Sequence, residues 1–174
     1  LDHPVIHIFW MASEDHDFEE IASFEINGHL FTWKHELLGG PVGRMPTLDL
    51  ASQLQTFIAQ IELNDAQRAL LLARIEAYKS EPDLSSATRR IVREWAKDLG
   101  VLVLDGDDVQ LKEFASHLWD KELRGELGKE IKSQTIKLQD AGYKAQVFPR
   151  EVNLFSLESN LRIRIDKLNH KLSP

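Results

Sequence analysis

The 174-residue sequence predicts an α/β fold: a mostly parallel sheet, a β-hairpin and helical connecting insertions. Three observations carry that expectation. Two short apolar runs, Val5–Trp10 and Val101–Leu104, are rich in the β-branched and aromatic residues of buried strands, and both are too brief for helices. A helix pattern followed by glycine and then a strand pattern occurs twice, at Gly100 and at Gly142. Asn27-Gly28, set between Ser23–Ile26 and His29–Lys34, is the strongest short signal for a two-residue hairpin turn.

The elements follow in order. Val5–Trp10 is the first strand, and the acidic stretch Ser13–Glu20 follows it, where Ser13 or Asp15 is placed to cap a short helix. Gly39–Pro46 holds three glycines and two prolines and must be a loop. Thr47 or Asp49 caps the next helix, whose apolar face is Leu50, Leu54, Phe57, Ile58 and Ile61. Asn64 caps a second helix, with Leu71, Ile75 and Tyr78 on one side, and Pro82-Asp83 ends it. Ser85 or Ser86 caps a third, which turns Ile91, Val92, Trp95 and Leu99 inward before Gly100. After the strand Val101–Leu104, helices run from Val109 to about Arg124 and from Leu127 to about Ala141. Tyr143–Phe148 reads as a strand, Pro149–Leu157 as a partly extended connection and Leu161–Ile165 as a last strand. Residues 1–49 would be the first part of the core with its hairpin, 50–88 a helical insertion and 89–174 the second part of the core.

Composition narrows the function. Lys and Arg total 21 against 28 Asp and Glu, a formal charge of −7, which argues against non-specific binding to nucleic acid or anionic lipid. There is no cysteine, so disulfides, thiolate metal sites and a cysteine nucleophile are excluded. No apolar run is long enough to span a bilayer, and Leu1–Phe9 lacks the basic start of a secretory signal, so a cytoplasmic protein is expected. The sequence lacks an initiator Met and opens almost at once into an apolar strand, which leads us to expect an excerpt of something longer.

Ligands of open α/β sheets gather at the carboxyl ends of strands, and two acidic clusters stand there: Glu14-Asp15-His16-Asp17 and Asp105-Gly106-Asp107-Asp108. Asp107 or Asp108 is most simply a helix N-cap, and the first cluster has a solvated helix start as its plain explanation. Three chemistries are open to Asp15, His16 and Asp17: binding a hard metal ion, acting as a base with its orienting carboxylate, or holding an ammonium group. Joint action by these neighbours requires a loop or tight turn, because adjacent residues of a regular element diverge. The glycine-rich Gly39–Gly43 lacks the Gly-Lys-Ser/Thr ending of a phosphate loop and reads better as a hairpin exit, with Arg44 as an anion contact. In an extended Pro149–Phe155, Glu151, Asn153 and Phe155 face opposite to Val152 and Leu154. Arg162 and Arg164 alternate with Leu161, Ile163 and Ile165; they are either a solvated strand face or a guanidinium pair for carboxylates. The other histidines (His3, His7, His29, His35, His117, His170) show no ligand spacing, and the four Trp residues read as packing.

Taken together, Phe9-Trp-Met-Ala-Ser-Glu-Asp-His-Asp-Phe-Glu-Glu-Ile21, Gly39-Gly-Pro-Val-Gly-Arg-Met45, Val101-Leu-Val-Leu-Asp105 and Gly142-Tyr-Lys-Ala-Gln-Val-Phe-Pro-Arg-Glu-Val-Asn-Leu-Phe155 resemble the cysteine-adding enzymes of bacillithiol synthesis, the BshC family. Order and intervals match along nearly the whole chain. Ser156 stands where Tyr is expected, and Phe148 where His or Asn is usual. The resemblance implies a partial Rossmann-like core of nucleotidyltransferase type, in a ligase that joins L-cysteine to glucosaminyl-malate. It implies that Asp15, His16 and Asp17 hold or deprotonate the amine, and that Arg150, Glu151, Asn153, Arg162 and Arg164 bind substrate. Asp105 would face a cofactor; the energy donor is open, with a nucleotide as a candidate, and a homodimer is the oligomer such a family offers. No metal site is expected. A metal-dependent hydrolase built on Asp15–Asp17 and a non-catalytic binding module are the competing readings.

Overall fold

The computed structural model describes residues 5–36, 39–146, 150–158, 161–165 and 172–173. They belong to two compact units, Leu1–Asp108 and Val109–Pro174.

The first unit opens with β1 (His7–Met11), followed by the hairpin β2 (Ser23–Ile26) and β3 (His29–Thr32). Asn27 and Gly28 both take positive φ, 51° and 77°, as a tight hairpin turn requires of its two central residues. A short 3-10 turn (Val42–Arg44) leads to α1 (Leu48–Ile58), α2 (Asp65–Ser80), α3 (Leu84–Ala96) and β4 (Val101–Asp105). β1 and β4 pair in parallel from His7 opposite Val101 to Met11 opposite Asp105, so both strands end at the same place. The parallel sheet and the hairpin thus both form, and the helical stretch between them is three helices long.

The core of this unit lies between the hairpin and α1–α2, where Phe18, Phe31, Trp33, Leu50, Leu54, Ile58, Leu71 and Ile75 cluster. Two polar contacts fix its register. The Asn64 side chain and Gln67 form a reciprocal capping box at the start of α2, and Gln67 also exchanges amide hydrogen bonds with Asn27 at the hairpin tip. Thr47, fully buried, donates its hydroxyl to the carbonyl of Tyr78 at 2.9 Å; it ties the start of α1 to the end of α2 and caps no helix with that oxygen.

Several local expectations shift. Residues 13–18 form a turn and an irregular segment with no helix. Asp83, whose side chain accepts from the Ser86 amide, caps α3 in place of the serines. Trp95 and Leu99 are exposed, and Trp95 lies under the Arg74 guanidinium at 4.4 Å from its ring centre. β1 is apolar yet exposed at Ile8, Phe9 and Trp10, because hydrophobic composition shows what favours burial and says nothing of what is there to cover it.

The second unit contains α4 (Val109–Phe114), α5 (Ser116–Leu123), α6 (Glu126–Asp140) and an antiparallel sheet, β5 (Phe155–Leu157), β6 (Arg162–Ile165) and β7 (Leu172–Ser173). The single helix expected over 109–124 is broken at Ala115. Of the strand expected at Tyr143–Phe148, residues 143–146 are irregular and 147–148 lie outside the described residues, as do His3, Pro149 and His170.

Candidate functional site

In the first unit the site is built where β1 and β4 end together. Met11 and Asp105 are cross-strand neighbours, and the Gly106 amide donates to the Met11 carbonyl at 2.9 Å, so the two following loops start side by side. Asp105 joins them. Its Oδ1 accepts from the Ser13 hydroxyl and from the Asp107 amide at 3.0 Å; its Oδ2 accepts from the Ser85 hydroxyl and from the Arg89 guanidinium at 2.6 Å. Burial pushes this carboxyl up, but the hydrogen bonds from Ser13, Ser85 and the Asp107 amide, with the Arg89 charge, outweigh it and hold it below the usual carboxylate range. Asp105 was expected to face a cofactor. Both of its oxygens are instead occupied by its own chain.

The glycine-rich loop closes over the same spot. The Val42 amide donates to the Asp15 carbonyl at 2.7 Å and the Gly43 amide to the Ser13 carbonyl at 2.9 Å. Gly43 is required there, since a Cβ would stand 2.5 Å from that of Ser13 and 2.8 Å from its carbonyl oxygen. Arg44, expected to contact an anion, has one within the chain: Nε and a terminal nitrogen donate to the two oxygens of Asp107 at 2.6 and 3.0 Å. The hydrogen bond to Asp107 raises the Arg44 pKa further. Gly106 makes room for Glu14, whose Oε2 would sit 2.1 Å from a Cβ at that position.

These contacts present the 15–17 segment at the end of β1. The Asp15 carboxylate accepts from the His16 amide at 2.7 Å and lies 3.1 Å from the His16 ring nitrogen Nδ1. His16 and Asp17 are exposed. The backbone here is irregular, the condition that joint action by these neighbours would need. Among the described residues, no three of His, Asp and Glu are grouped as a metal ion would need.

In the second unit, the residues expected to bind substrate fall in two places. Arg150 and Glu151 are exposed, Val152 is buried between them and Asn153, and Asn153 is held by Glu122 of α5. On β6, Arg162 lies over the Phe155 ring of the neighbouring strand, 4.0 Å from its centre, and Arg164 is directly opposite Phe155 in the register. Glu122 was missed by sequence reasoning; a lone Glu in a polar helix carries no signal until its burial is seen.

Sequence reasoning also passed over a hydrogen-bonded set beside the hairpin exit. Asp49 Oδ2 accepts from Trp33 Nε1 at 3.0 Å and lies 2.6 Å from His35 Nδ1, at the edge of an open cavity of about 760 Å³ lined by Lys34, Glu36, Ser52 and Gln53. Burial pushes Asp49 up, but these two side chains outweigh it and leave it lowered. Gln53 meanwhile bonds both the amide and the carbonyl of Lys34, as a strand neighbour would. The set is a clasp between the β3 exit and α1.

Parallel strands joined through helices, with a loop-built polar site at their carboxyl ends, define a Rossmann-like domain. The comparison with known families agrees: residues 1–173 match the family described as "Bacillithiol biosynthesis BshC, N-terminal Rossmann-like domain". The chain belongs to that family. Among curated relatives named "Putative cysteine ligase BshC", that of Cytophaga hutchinsonii is 36% identical over 95% of this chain, and that of Flavobacterium johnsoniae 38% identical over 91%. The Salinibacter ruber relative is 28% identical over 94% of the chain. The chain spans about 30% of the length of each of the first two relatives. No helix among the described residues is long and apolar enough to cross a membrane.

Proposed function

We propose that this domain contributes the amine-handling part of an amide-forming ligase, one that joins the carboxyl of L-cysteine to the amino group of glucosaminyl-malate. The observation that carries the reading is the Asp15–His16 contact, at 3.1 Å, on the irregular segment that ends β1. At neutral pH the amine is an ammonium ion and must lose a proton before its nitrogen attacks the cysteine carboxyl carbon, which must already be activated so that the activating group leaves as the amide bond forms. A His whose Nδ1–H is donated to Asp15 presents Nε2 as the base for that proton, and the carboxylate stabilises the imidazolium that results. Asp17, exposed beside them, holds the ammonium group by charge-assisted hydrogen bonding before deprotonation.

In the second unit, taken by itself, Arg150, Glu151, Asn153, Arg162 and Arg164 form a substrate-binding set whose guanidinium groups suit carboxylates, since the paired oxygens match their forked donors. Asp105 is spent on the loops and acts by bracing them. The same reading places the protein in the cytoplasm as a homodimer acting on small molecules.

The test is turnover of cysteine and glucosaminyl-malate by the full-length polypeptide that carries this domain. His16→Ala should lower kcat at least ~100-fold, the scale of a lost general base. Asp15→Asn should lower it less, since the base remains and only its orienting partner is lost. Near-normal turnover by His16→Ala, with folding intact, would overturn the role.

A further inference from the structure

We infer that Glu122 is the positioning residue of the 150–153 segment, an inference that rests on the substrate-binding reading of that segment given above. Glu is among the side chains least often buried, yet Glu122 is only 4% exposed. Its Oε1 accepts two hydrogen bonds from one residue, the backbone amide of Asn153 and the side-chain Nδ2, each at 2.7 Å. That two-point grip fixes both the backbone and the side-chain rotamer of Asn153. The Asn153 amide group in turn spans the turn to Arg150, its Oδ1 3.4 Å from the Arg150 nitrogen and its Nδ2 3.5 Å from the Arg150 oxygen. These last contacts are long, so the orientation of the turn is set from Glu122.

The other carboxyl oxygen makes the case. Glu122 Oε2 is buried with no hydrogen-bond partner among the described residues. A position selected for stability alone would carry an apolar side chain or a complete set of partners, and a bare buried oxygen in a folded protein calls for a reason. Here the reason is the loop held by the other oxygen. The seat has two further points: Val152 is buried, and Gly128 in the first turn of α6 backs the Arg150 carbonyl, which would meet a Cβ there at 3.5 Å. Fixed at these points, the segment leaves Arg150 and Glu151 exposed at a set location. Displacing a substrate-holding charge by about an ångström is enough to cost binding and rate.

The experiment compares Glu122→Met, Glu122→Gln and Arg150→Ala in the full-length polypeptide, with steady-state kinetics and hydrogen exchange at the Asn153 amide. Met fills the space and removes both acceptors; Gln keeps one oxygen to accept from Asn153. The expected result is faster Asn153 exchange and a KM for the anionic amino-sugar substrate raised ~10-fold in Glu122→Met, with kcat changed less, and both restored in Glu122→Gln. If Glu122→Met fails to fold, Glu122→Leu, which likewise lacks both acceptors, must give the same faster Asn153 exchange and the same rise in KM. A KM within twofold of the parent in Glu122→Met or in that substitute, while Arg150→Ala raises it, overturns the positioning role and leaves the substrate reading standing. Should Arg150→Ala also leave KM unchanged, the substrate reading itself fails, and the inference with it.

Discussion

Two carboxyl groups hold loops of this protein, Asp105 part-buried and Glu122 buried, and they do so in opposite ways. Asp105, at the end of β4, accepts from two hydroxyls, a backbone amide and a guanidinium, two donors to each oxygen. Glu122, on α5, accepts both its hydrogen bonds on one oxygen and, among the described residues, leaves the other bare. A saturated carboxylate beside a cation is a structural joint: removing it takes an acceptor from four donors at once. A half-used one contributes little to stability and acts through the one geometry it fixes. The comparison separates residues that keep the domain folded from residues that keep a loop in place.

The largest expected effect follows from the saturated joint. Asp105→Ala should destabilise the first unit by about 3 kcal/mol, because four hydrogen bonds to one part-buried carboxylate are lost together; a loss under about 1 kcal/mol in denaturant unfolding would remove the distinction. The same group makes stability depend on pH. Its carboxyl titrates lower in the folded than in the unfolded chain, so its contribution is whole above the unfolded value of about 4 and is lost as pH falls through the lower folded value. Asp105→Asn should therefore be less stable than the parent at neutral pH and show a flatter fall in stability below about pH 4, read from unfolding midpoints across the acid range.

Next in size is the loop that packs on the same joint. Gly43→Ala drives a Cβ into the backbone and side chain of Ser13, where neither can swing away, and should cost about 2 kcal/mol of stability by overpacking. Arg44→Ala removes a two-pronged contact from a guanidinium that is half exposed, so solvent screening holds the expected loss to about 1 kcal/mol. If Arg44→Ala proved the costlier of the two, the loop would be held by charge and not by close approach.

How far the sequence disclosed all this depends on the kind of signal. The hairpin was legible because Asn27-Gly28 states its own backbone conformation, and α2 because Asn64 is a local cap. The parallel strands were legible as apolar runs, and their shared carboxyl end followed from topology. Contacts between residues distant in sequence were not. Nothing local announces that Asp105 meets Ser13, that Arg44 meets Asp107 or that Glu122 meets Asn153, because each pairing is created by the fold that brings the partners together. For the same reason the exposure of β1 was hidden: a run such as Ile-His-Ile-Phe-Trp shows the tendency to be covered, and the covering surface is not written in it.

The smallest expected effect is the sharpest test of the comparison. Glu122→Gln keeps Oε1 as the acceptor for Asn153 and exchanges only the bare oxygen for an amide nitrogen, so it should change stability by less than about 1 kcal/mol. The matched exchange Asp105→Asn replaces an oxygen that already receives two donors and leaves Arg89 without its charge partner. Denaturant unfolding of the two amide variants side by side should give a large loss for Asp105→Asn and almost none for Glu122→Gln. Equal losses would mean that the unpartnered oxygen of Glu122 matters to the fold as much as the partnered ones of Asp105, and that both carboxyls are joints of the same kind.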